Sequence, residues 1–370
     1  MKTNTSKKVY WLVTLLLVIA MFATACGNSN GNTEGATDNQ PKEEATKEPA
    51  ATPAPEPAEE PAKTFTLKWS TASVPNDTHT KAMEVFKEEI EKSTNGQIIV
   101  EIYHSSSLFT QDNERQALFR GNVDMAYTAS ANLAEYVPMF GMLSAGYAFK
   151  DYDHMTKVMN GQIGKDLFEK VVQETGARPL GAFYLGSRHL NYKDIGRIIN
   201  TPEDMKGVKL RMPNTPAWLF LGKALGANPT PLAFSELYLA LSSGTVDMQD
   251  NPLPTVQNAK FYEVTKNITL TGHVVDSVFP TINEKVWQEL GAELQGKVLE
   301  AVEKARQFCD EMNIKAEQEL VDFFKTQGLQ VNTPDMEAFR TTVQKAYAED
   351  SEFTKDWDME IYNQVQELAK

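Results

Sequence analysis

The sequence predicts an α/β protein built from two lobes, and three observations support this. Short apolar segments alternate with amphipathic helical segments between residues 66 and 127, which is typical of a mainly parallel sheet. A second alternating series runs from 178 to 249, and from 284 onward the pattern is almost entirely helical. Two such series predict two α/β lobes, and the chain is long enough to build both.

The individual elements follow from residue type and spacing. β-branched and aromatic residues predict strands at 66–70, 97–103, 123–127, 178–184, 208–212, 246–249 and 329–331. Apolar residues at helical spacing predict helices at 82–90, 111–119, 215–225, 235–241 and 294–324. Thr201 followed by Pro202 marks a further helix start, and Gly328 is expected to end the long helix.

The N-terminus predicts a lipoprotein signal peptide over residues 1–25. Lysines precede an apolar run, and small residues lead into Cys26, which becomes the expected lipidation site. The alternative is an uncleaved transmembrane anchor, but the apolar run lies at the short edge of the length that spans a bilayer.

Residues 26–64 then predict a lipidated cysteine followed by a disordered tether. This stretch is rich in proline and glutamate and contains no apolar cluster, so it cannot bury enough surface to order itself. A lipid with a long tether is expected where no outer membrane retains the protein. We therefore expect an extracytoplasmic protein, lipid-anchored to the cell membrane of a Gram-positive surface; a tethered protein inside an outer membrane is the alternative.

Composition narrows the function classes. The formal net charge of −14 disfavours nucleic acid, which requires a basic surface. The five histidines are scattered and form no metal-binding motif, and no nucleophile elbow is present. Cys309 is the second of two cysteines, and its neighbours predict buried packing rather than a disulfide. We expect no catalytic residues, cofactor or metal, and a monomer.

The most informative segment runs from 205 to 252. Arg211 ends one short apolar strand, and Asn251 follows another. Strand ends in α/β sheets are where ligands bind, because several loops converge there. The planar fork of arginine meets a carboxylate with two parallel hydrogen bonds. The pattern predicts capture of a small organic anion.

The same segment resembles the solute-binding proteins of TRAP (tripartite ATP-independent periplasmic) transporters, in the branch named for C4-dicarboxylate binding. The matching stretches are 205–214, 229–241 and 244–247, with Asp250 where the family usually has glutamate. The resemblance extends from about Thr66 to the C-terminus. It implies a periplasmic-binding-protein fold with crossing hinge strands, a long inter-lobe helix and a ligand cleft between the lobes. Lobe one would be 65–187 plus 277–316, and lobe two 188–276 plus 317–370.

The resemblance also implies binding roles. Arg211 would pair with the ligand carboxylate, Asn251 would hydrogen-bond it, and Arg188 would be a second arginine at the lobe crossing. Further candidates, each also compatible with a turn, a helix cap or core packing, are Asn76, Glu114 and Ser130 from lobe one and Phe234 and Tyr238 from lobe two.

The predicted function is therefore an extracytoplasmic solute-binding protein that captures a small organic carboxylate for membrane-embedded TRAP permease subunits driven by an ion gradient. A substrate-binding lipoprotein of an ABC importer is one alternative, which the Arg211–Asn251 motif disfavours. Presentation of the ligand to a membrane sensor kinase is another, and an extracellular enzyme is a third.

Overall fold

The computed structural model describes residues 63–369, and the predicted signal peptide, Cys26 and nearly all of the predicted tether lie outside this range. A ten-stranded sheet organises the fold. The strands are β1 (Phe65–Ser70), β2 (Ile98–Tyr103), β3 (Met125–Ala129), β4 (Ala177–Pro179), β5 (Phe183–Tyr192), β6 (Lys209–Met212), β7 (Asn228–Pro231), β8 (Met248–Pro252), β9 (Asn267–Asn283) and β10 (Gln330–Asn332).

Helices cover the sheet and form most of the C-terminal part. They are α1 (Thr78–Ser93), α2 (Gln111–Phe119), α3 (Ser130–Leu133), α4 (Met139–Leu143), α5 (Tyr152–Met159), α6 (Gln162–Thr175), α7 (Pro216–Ala224), α8 (Leu237–Ser243), α9 (Leu253–Asn258), α10 (Glu284–Thr326), α11 (Met336–Glu349), α12 (Ser351–Thr354) and α13 (Met359–Glu367). Short 3₁₀ helices lie at Pro202–Met205, Phe234–Glu236 and Phe261–Glu263. None of these helices is long and apolar enough to cross a bilayer.

The sheet has a parallel group of strands at each end and antiparallel strands in the middle. Eight of the ten strands follow the order β2-β1-β3-β9-β5-β8-β6-β7, and the remaining two, β4 and β10, both pair with β9. β1 pairs in parallel with β2 and β3, and β6 pairs in parallel with β7 and β8. The long strands β5 and β9 pair antiparallel to each other and connect the two ends. This arrangement confirms the predicted two-lobed α/β fold with crossing strands.

Each end of the sheet has its own apolar core. In lobe one, Trp69 is fully buried and packs edge-to-face on Phe86, with ring centroids 5.2 Å apart. In lobe two, Trp218 and Leu221 of α7 pack with Phe339 of α11. Burying each of these large apolar side chains contributes about 1.5–3 kcal/mol, so both ends are supported independently.

The long helix α10 holds the crossing strand β5 in place through hydrogen bonds. It breaks at Gly291, whose φ of 74° lies in the left-handed region, so the predicted helix 294–324 is the longer part of α10. From this part, Asp310 accepts the backbone N–H of Tyr184 at 2.7 Å, and Asn313 donates to the Tyr184 carbonyl at 2.7 Å. These contacts hold β5 where it crosses between the lobes.

The C-terminal region packs on both lobes. Phe339 and Val343 of α11 lie in the lobe-two core, whereas Val365 of α13 packs with Phe140 and Phe168. Phe140 and Phe168 lie in the stretch that the sequence assigns to lobe one, so the C-terminal region contacts residues of both predicted lobes. The predicted lobe boundaries stay a prediction.

Candidate functional site

A cavity of about 130 Å³ lies where the two ends of the sheet face each other. Lobe-one residues contribute most of its wall: Thr71, Ala72, Ser73, Asp77, His79, Gln111, Glu114, Arg115, Tyr127, Thr128, Ala129 and Asn132. The remainder comes from β5, β9 and lobe two: Leu185, Arg188, Pro213, Trp218, Phe234, Asn251, Thr255, Asp276 and Val278. The cavity therefore collects the ends of several strands in one place.

Arg211 lies directly behind this wall, at the end of β6. Its side chain is almost completely buried, with 1% exposed. Nε donates to the Leu232 carbonyl at 2.8 Å, and Nη2 donates to Oε1 of Gln111, a wall residue, at 3.0 Å. Within residues 63–369, Nη1 has no hydrogen-bond partner and no carboxylate oxygen lies within 4.0 Å of the guanidinium.

The electrostatics of Arg211 follow from this isolation. Burial lowers its pKa to about 10, although the nearby carboxylate of Asp250 works in the opposite direction. A buried charge without a counter-ion is costly, and side chains in that position usually pair with a charge of opposite sign. The geometry therefore leaves a cationic edge with spare donors beside the cavity.

Arg188 differs from Arg211 because its charge is already neutralised. Nε donates to Asp276 Oδ2 at 2.7 Å, and Nη1 donates to the Asp250 carbonyl at 3.0 Å. Burial opposes the charge of Arg188, but the carboxylates of Asp276 and Asp250 outweigh burial and raise its pKa. Its guanidinium also stacks on the ring of Trp218, with 4.3 Å to the centroid. Arg188 is thus a fixed structural cation in the cavity wall.

Asn251 is held in place by its neighbours. Its Oδ1 accepts from Arg188 Nη1 at 3.3 Å, and its Nδ2 donates to Gln249. Beneath it, the fully buried carboxylate of Asp250 accepts from His273 Nε2 at 3.1 Å. The pKa of Asp250 is lowered: burial acts against ionisation, but Arg188 and His273 outweigh it. Asp250 therefore stays charged.

Glu114 is a titratable group on the lobe-one side of the cavity. Its carboxyl is buried in the first turn of α2, where Oε1 accepts from Ser70 Oγ at 2.6 Å. No described cation lies within 4.0 Å of it, and burial raises its pKa to about 8. Its neighbour Arg115 is paired with Glu135 at 3.2 Å. At neutral pH Glu114 is largely protonated and can donate a hydrogen bond into the cavity.

The raised pKa of Glu114 makes a prediction about stability. A carboxyl whose pKa is higher in the folded than in the unfolded chain stabilises the fold below its unfolded pKa, and that stability is lost as pH rises toward 8. The Glu114→Gln variant should therefore lose less stability between pH 5 and pH 9 than wild type, by at most ~1.4 kcal/mol per pH unit. Thermal unfolding across this range checks it, with the exposed Glu319→Gln as control; equal slopes for wild type and Glu114→Gln would contradict it.

The structure brings four predicted residues to the cavity wall, Arg188, Asn251, Glu114 and Phe234, and places Arg211 behind it. Phe234 both lines the cavity and packs against the core, because its ring lies edge-to-face on the ring of Phe261 with centroids 5.7 Å apart. The roles of these residues in ligand contact stay predictions.

Three other predicted side chains do not reach the cavity. Asn76 is exposed in the turn before α1. Asp77 and His79 line the cavity instead, because the Asp77 side chain turns toward α1 and caps its N-terminus. Ser130 is buried at the start of α3, while Ala129 lines the cavity. Tyr238 points outward from α8 and donates to Glu263 at 3.0 Å.

Sequence reasoning also missed residues that line the cavity. Asp276 was detectable, because it is a charged residue between apolar positions of a buried strand. Asp77 was detectable as the N-cap before α1. Gln111 gave no signal beyond the start of α2, and Trp218 resembled ordinary core. Among residues 63–369, no group of three or more histidine, cysteine or acidic side chains is arranged to hold a metal ion.

Comparison with known proteins identifies a family to which this chain is similar. The model of the family described as bacterial extracellular solute-binding protein, family 7, matches residues 69–353. The sialic acid-binding periplasmic protein SiaP of Vibrio cholerae is 34% identical over 284 residues, covering 77% of this chain and 88% of that protein.

Solved structures agree with this result. A TRAP periplasmic solute-binding protein from Roseobacter denitrificans, with bound 3-deoxy-D-manno-oct-2-ulosonic acid, is 39% identical and superposes with a TM-score of 0.79, covering 83% of this chain and 100% of that one. A second protein from the same organism, with bound L-galactonate, is 30% identical with a TM-score of 0.76, covering 84% and 100% of the respective chains.

Proposed function

This chain belongs to the bacterial extracellular solute-binding proteins of family 7, and from that premise we propose that it captures a small organic carboxylate outside the cytoplasm and delivers it to the membrane subunits of a TRAP-type transporter. The observation that carries the proposal is the buried guanidinium of Arg211, which has no carboxylate partner within the described chain. A ligand carboxylate would supply the missing counter-ion through Nη1, at the edge where lobe two meets the cavity.

Closure of the two lobes explains how this pairing becomes strong. An exposed ion pair contributes below about 1 kcal/mol, because water screens it. In a site that excludes water the same pair is several times stronger. Ligand binding and lobe closure therefore favour each other, and the closed form is the state that the membrane subunits would recognise.

We further propose that the ligand is a polyhydroxylated monocarboxylate rather than the C4-dicarboxylate for which the family branch is named. A second carboxylate would be met best by a second free cation, but the cations of the cavity wall are already paired: Arg188 with Asp276 and Asp250, Arg115 with Glu135, and His79 with Asp77. The opposite wall instead offers hydroxyl, amide and carboxyl groups suited to sugar hydroxyls: Thr71, Ser73, Glu114, Thr128 and Asn132. The relatives with bound sugar acids support this choice.

We propose that the protein works outside the cytoplasm and is attached to the membrane by a lipid. Membership of the family makes it an extracytoplasmic protein. Lipid anchoring through Cys26 is our proposal from the sequence alone. The relatives named above come from Gram-negative bacteria, so a Gram-positive surface rests only on the predicted tether.

Thermal unfolding against a panel of acids tests the proposed function. The panel should contain aldonic, uronic and ulosonic acids, C4-dicarboxylates, and the uncharged sugars that match the sugar acids. A sugar acid at about 100 times its dissociation constant should add about 2.7 kcal/mol of stability, whereas the matched sugars should add none. Stabilisation by a dicarboxylate alone would overturn the ligand class, and stabilisation by peptides or neutral sugars alone would overturn the proposed function.

A further inference from the structure

We propose that Gln111 is a positioning residue that latches the two lobes together and orients Arg211 toward the ligand, an inference that rests on the proposed function. Gln111 is the first residue of α2 in lobe one. Its Oε1 accepts two hydrogen bonds from lobe two, from Arg211 Nη2 at 3.0 Å and from the backbone N–H of Phe234 at 3.0 Å. One neutral oxygen thus joins the lobes at the edge of the cavity.

The chemistry of this contact depends on its being an amide. Two donors, one of them cationic, converge on a single oxygen, which is an arrangement that also attracts a carboxylate oxygen. The amide satisfies both donors without neutralising Arg211, so the positive charge remains available to a ligand. A carboxylate at the same position would pair with Arg211 and compete with the ligand.

Gln111 also determines which atoms of Arg211 are free. Leu232 holds Nε and Gln111 holds one side of Nη2, so the guanidinium cannot rotate, and Nη1 is left to meet the ligand. We call the two hydrogen bonds that Gln111 Oε1 accepts from Arg211 and Phe234 the latch. It forms only when α2 approaches lobe two, because both donors lie on that lobe. Opening the cleft must break both hydrogen bonds, and this slows release of the ligand more than it slows capture.

Two substitutions test the latch with the sugar acid that the panel identifies. Gln111→Glu keeps the shape but supplies an internal carboxylate, and its affinity for the acid should fall on the order of 100-fold while the ligand-free protein melts at a higher temperature. Gln111→Ala removes the latch, and the dissociation rate should rise roughly tenfold with the association rate changed less than twofold. Stopped-flow fluorescence resolves the two rates, and calorimetry gives the affinities.

Gln116→Ala is the matched control, because it makes the same change on the same helix. The amide of Gln116 donates to Tyr136 Oη at 2.7 Å and does not contact Arg211. This variant should bind and release the acid as wild type does. Circular dichroism establishes that each variant is folded, and Gln111→Asn replaces any variant that is not, with the same rise in dissociation rate expected.

The inference and the proposed function fail separately. If wild type binds no carboxylate, the proposed function is wrong and the latch has no ligand to retain. If wild type binds a sugar acid but Gln111→Glu binds it equally tightly, or Gln111→Ala releases it at the wild-type rate, only the latch is overturned. A rise in dissociation rate shared by Gln116→Ala would assign the effect to α2 rather than to the Gln111 contact, and would also overturn it.

Discussion

The Arg211→Ala variant is expected to lose ligand binding while keeping its fold. The side chain supplies the unpaired cation beside the cavity, and a charge-assisted hydrogen bond to a buried carboxylate contributes about 1.5–3 kcal/mol. Two such bonds correspond to a loss on the order of 1000-fold in affinity. Isothermal titration calorimetry with the acid identified by the panel measures this loss.

The stability of the same variant separates the ligand-binding role from a structural one. If Arg211 were one partner of a structural salt bridge, its removal would leave a buried carboxylate unpaired and destabilise the protein by about 3–5 kcal/mol. Because no described carboxylate lies within 4.0 Å, Arg211→Ala leaves no buried carboxylate unpaired, so we expect the ligand-free variant to stay folded and to lose less than this, through the hydrogen bonds to Leu232 and Gln111 and the packing of the side chain. Arg211→Lys is the matched control for charge, because it keeps the cation but loses the planar fork. Its affinity for the acid should lie between those of wild type and Arg211→Ala. A folded Arg211→Ala protein that binds the acid like wild type would refute the assignment.

The Asp276→Asn variant should cause the largest loss of stability. Asp276 Oδ2 accepts from Arg188 Nε at 2.7 Å, and both side chains are buried. Removing one charge of a buried pair leaves the other uncompensated, which costs about 3–5 kcal/mol. Asp250 stays near Arg188 at 3.5 Å and offsets part of this cost. We therefore expect the melting temperature to fall by several degrees and the affinity for the acid to weaken.

An exposed ion pair provides the control for this second prediction. Glu89 and Lys304 form a salt bridge at the surface, so Glu89→Gln removes one charge at an exposed site. The expected effect is below about 1 kcal/mol. Chemical denaturation of wild type and both variants gives the comparison. Equal stability of Asp276→Asn and wild type would show that Arg188 does not depend on this partner.

The sequence predicted the parts of the site that lie close to regular strands. Arg211 and Asn251 fall at the ends of β6 and β8, which are neighbours in the sheet, so strand patterns alone bring them to one region. The long helix and the start of β5 were predicted from residue type and spacing, whereas the crossing of β5 and β9 between the lobes was predicted through the family resemblance. The sequence pattern could also have shown that Tyr238 faces away from the cavity. Its helical neighbours Leu237 and Leu241 are apolar and buried, so helical spacing turns Tyr238 outward.

The contacts between the lobes could not be predicted in this way. Gln111 lies 100 residues before its partner Arg211, and no local pattern records that distance. The inward turn of Asp77 depends on where α1 begins, and helix starts are the least certain part of a pattern-based assignment. The packing of α13 depends on Val365 lying in a cluster with aromatic residues that are far away in sequence.

The position of the ligand carboxylate in a crystal structure of the complex with the best-binding sugar acid tests the central claim most directly. The account predicts a carboxylate oxygen within about 3.2 Å of Arg211 Nη1, with the hydroxyl groups directed toward Glu114 and the lobe-one wall. A carboxylate bound elsewhere, with Arg211 still contacting only Leu232 and Gln111, would contradict it.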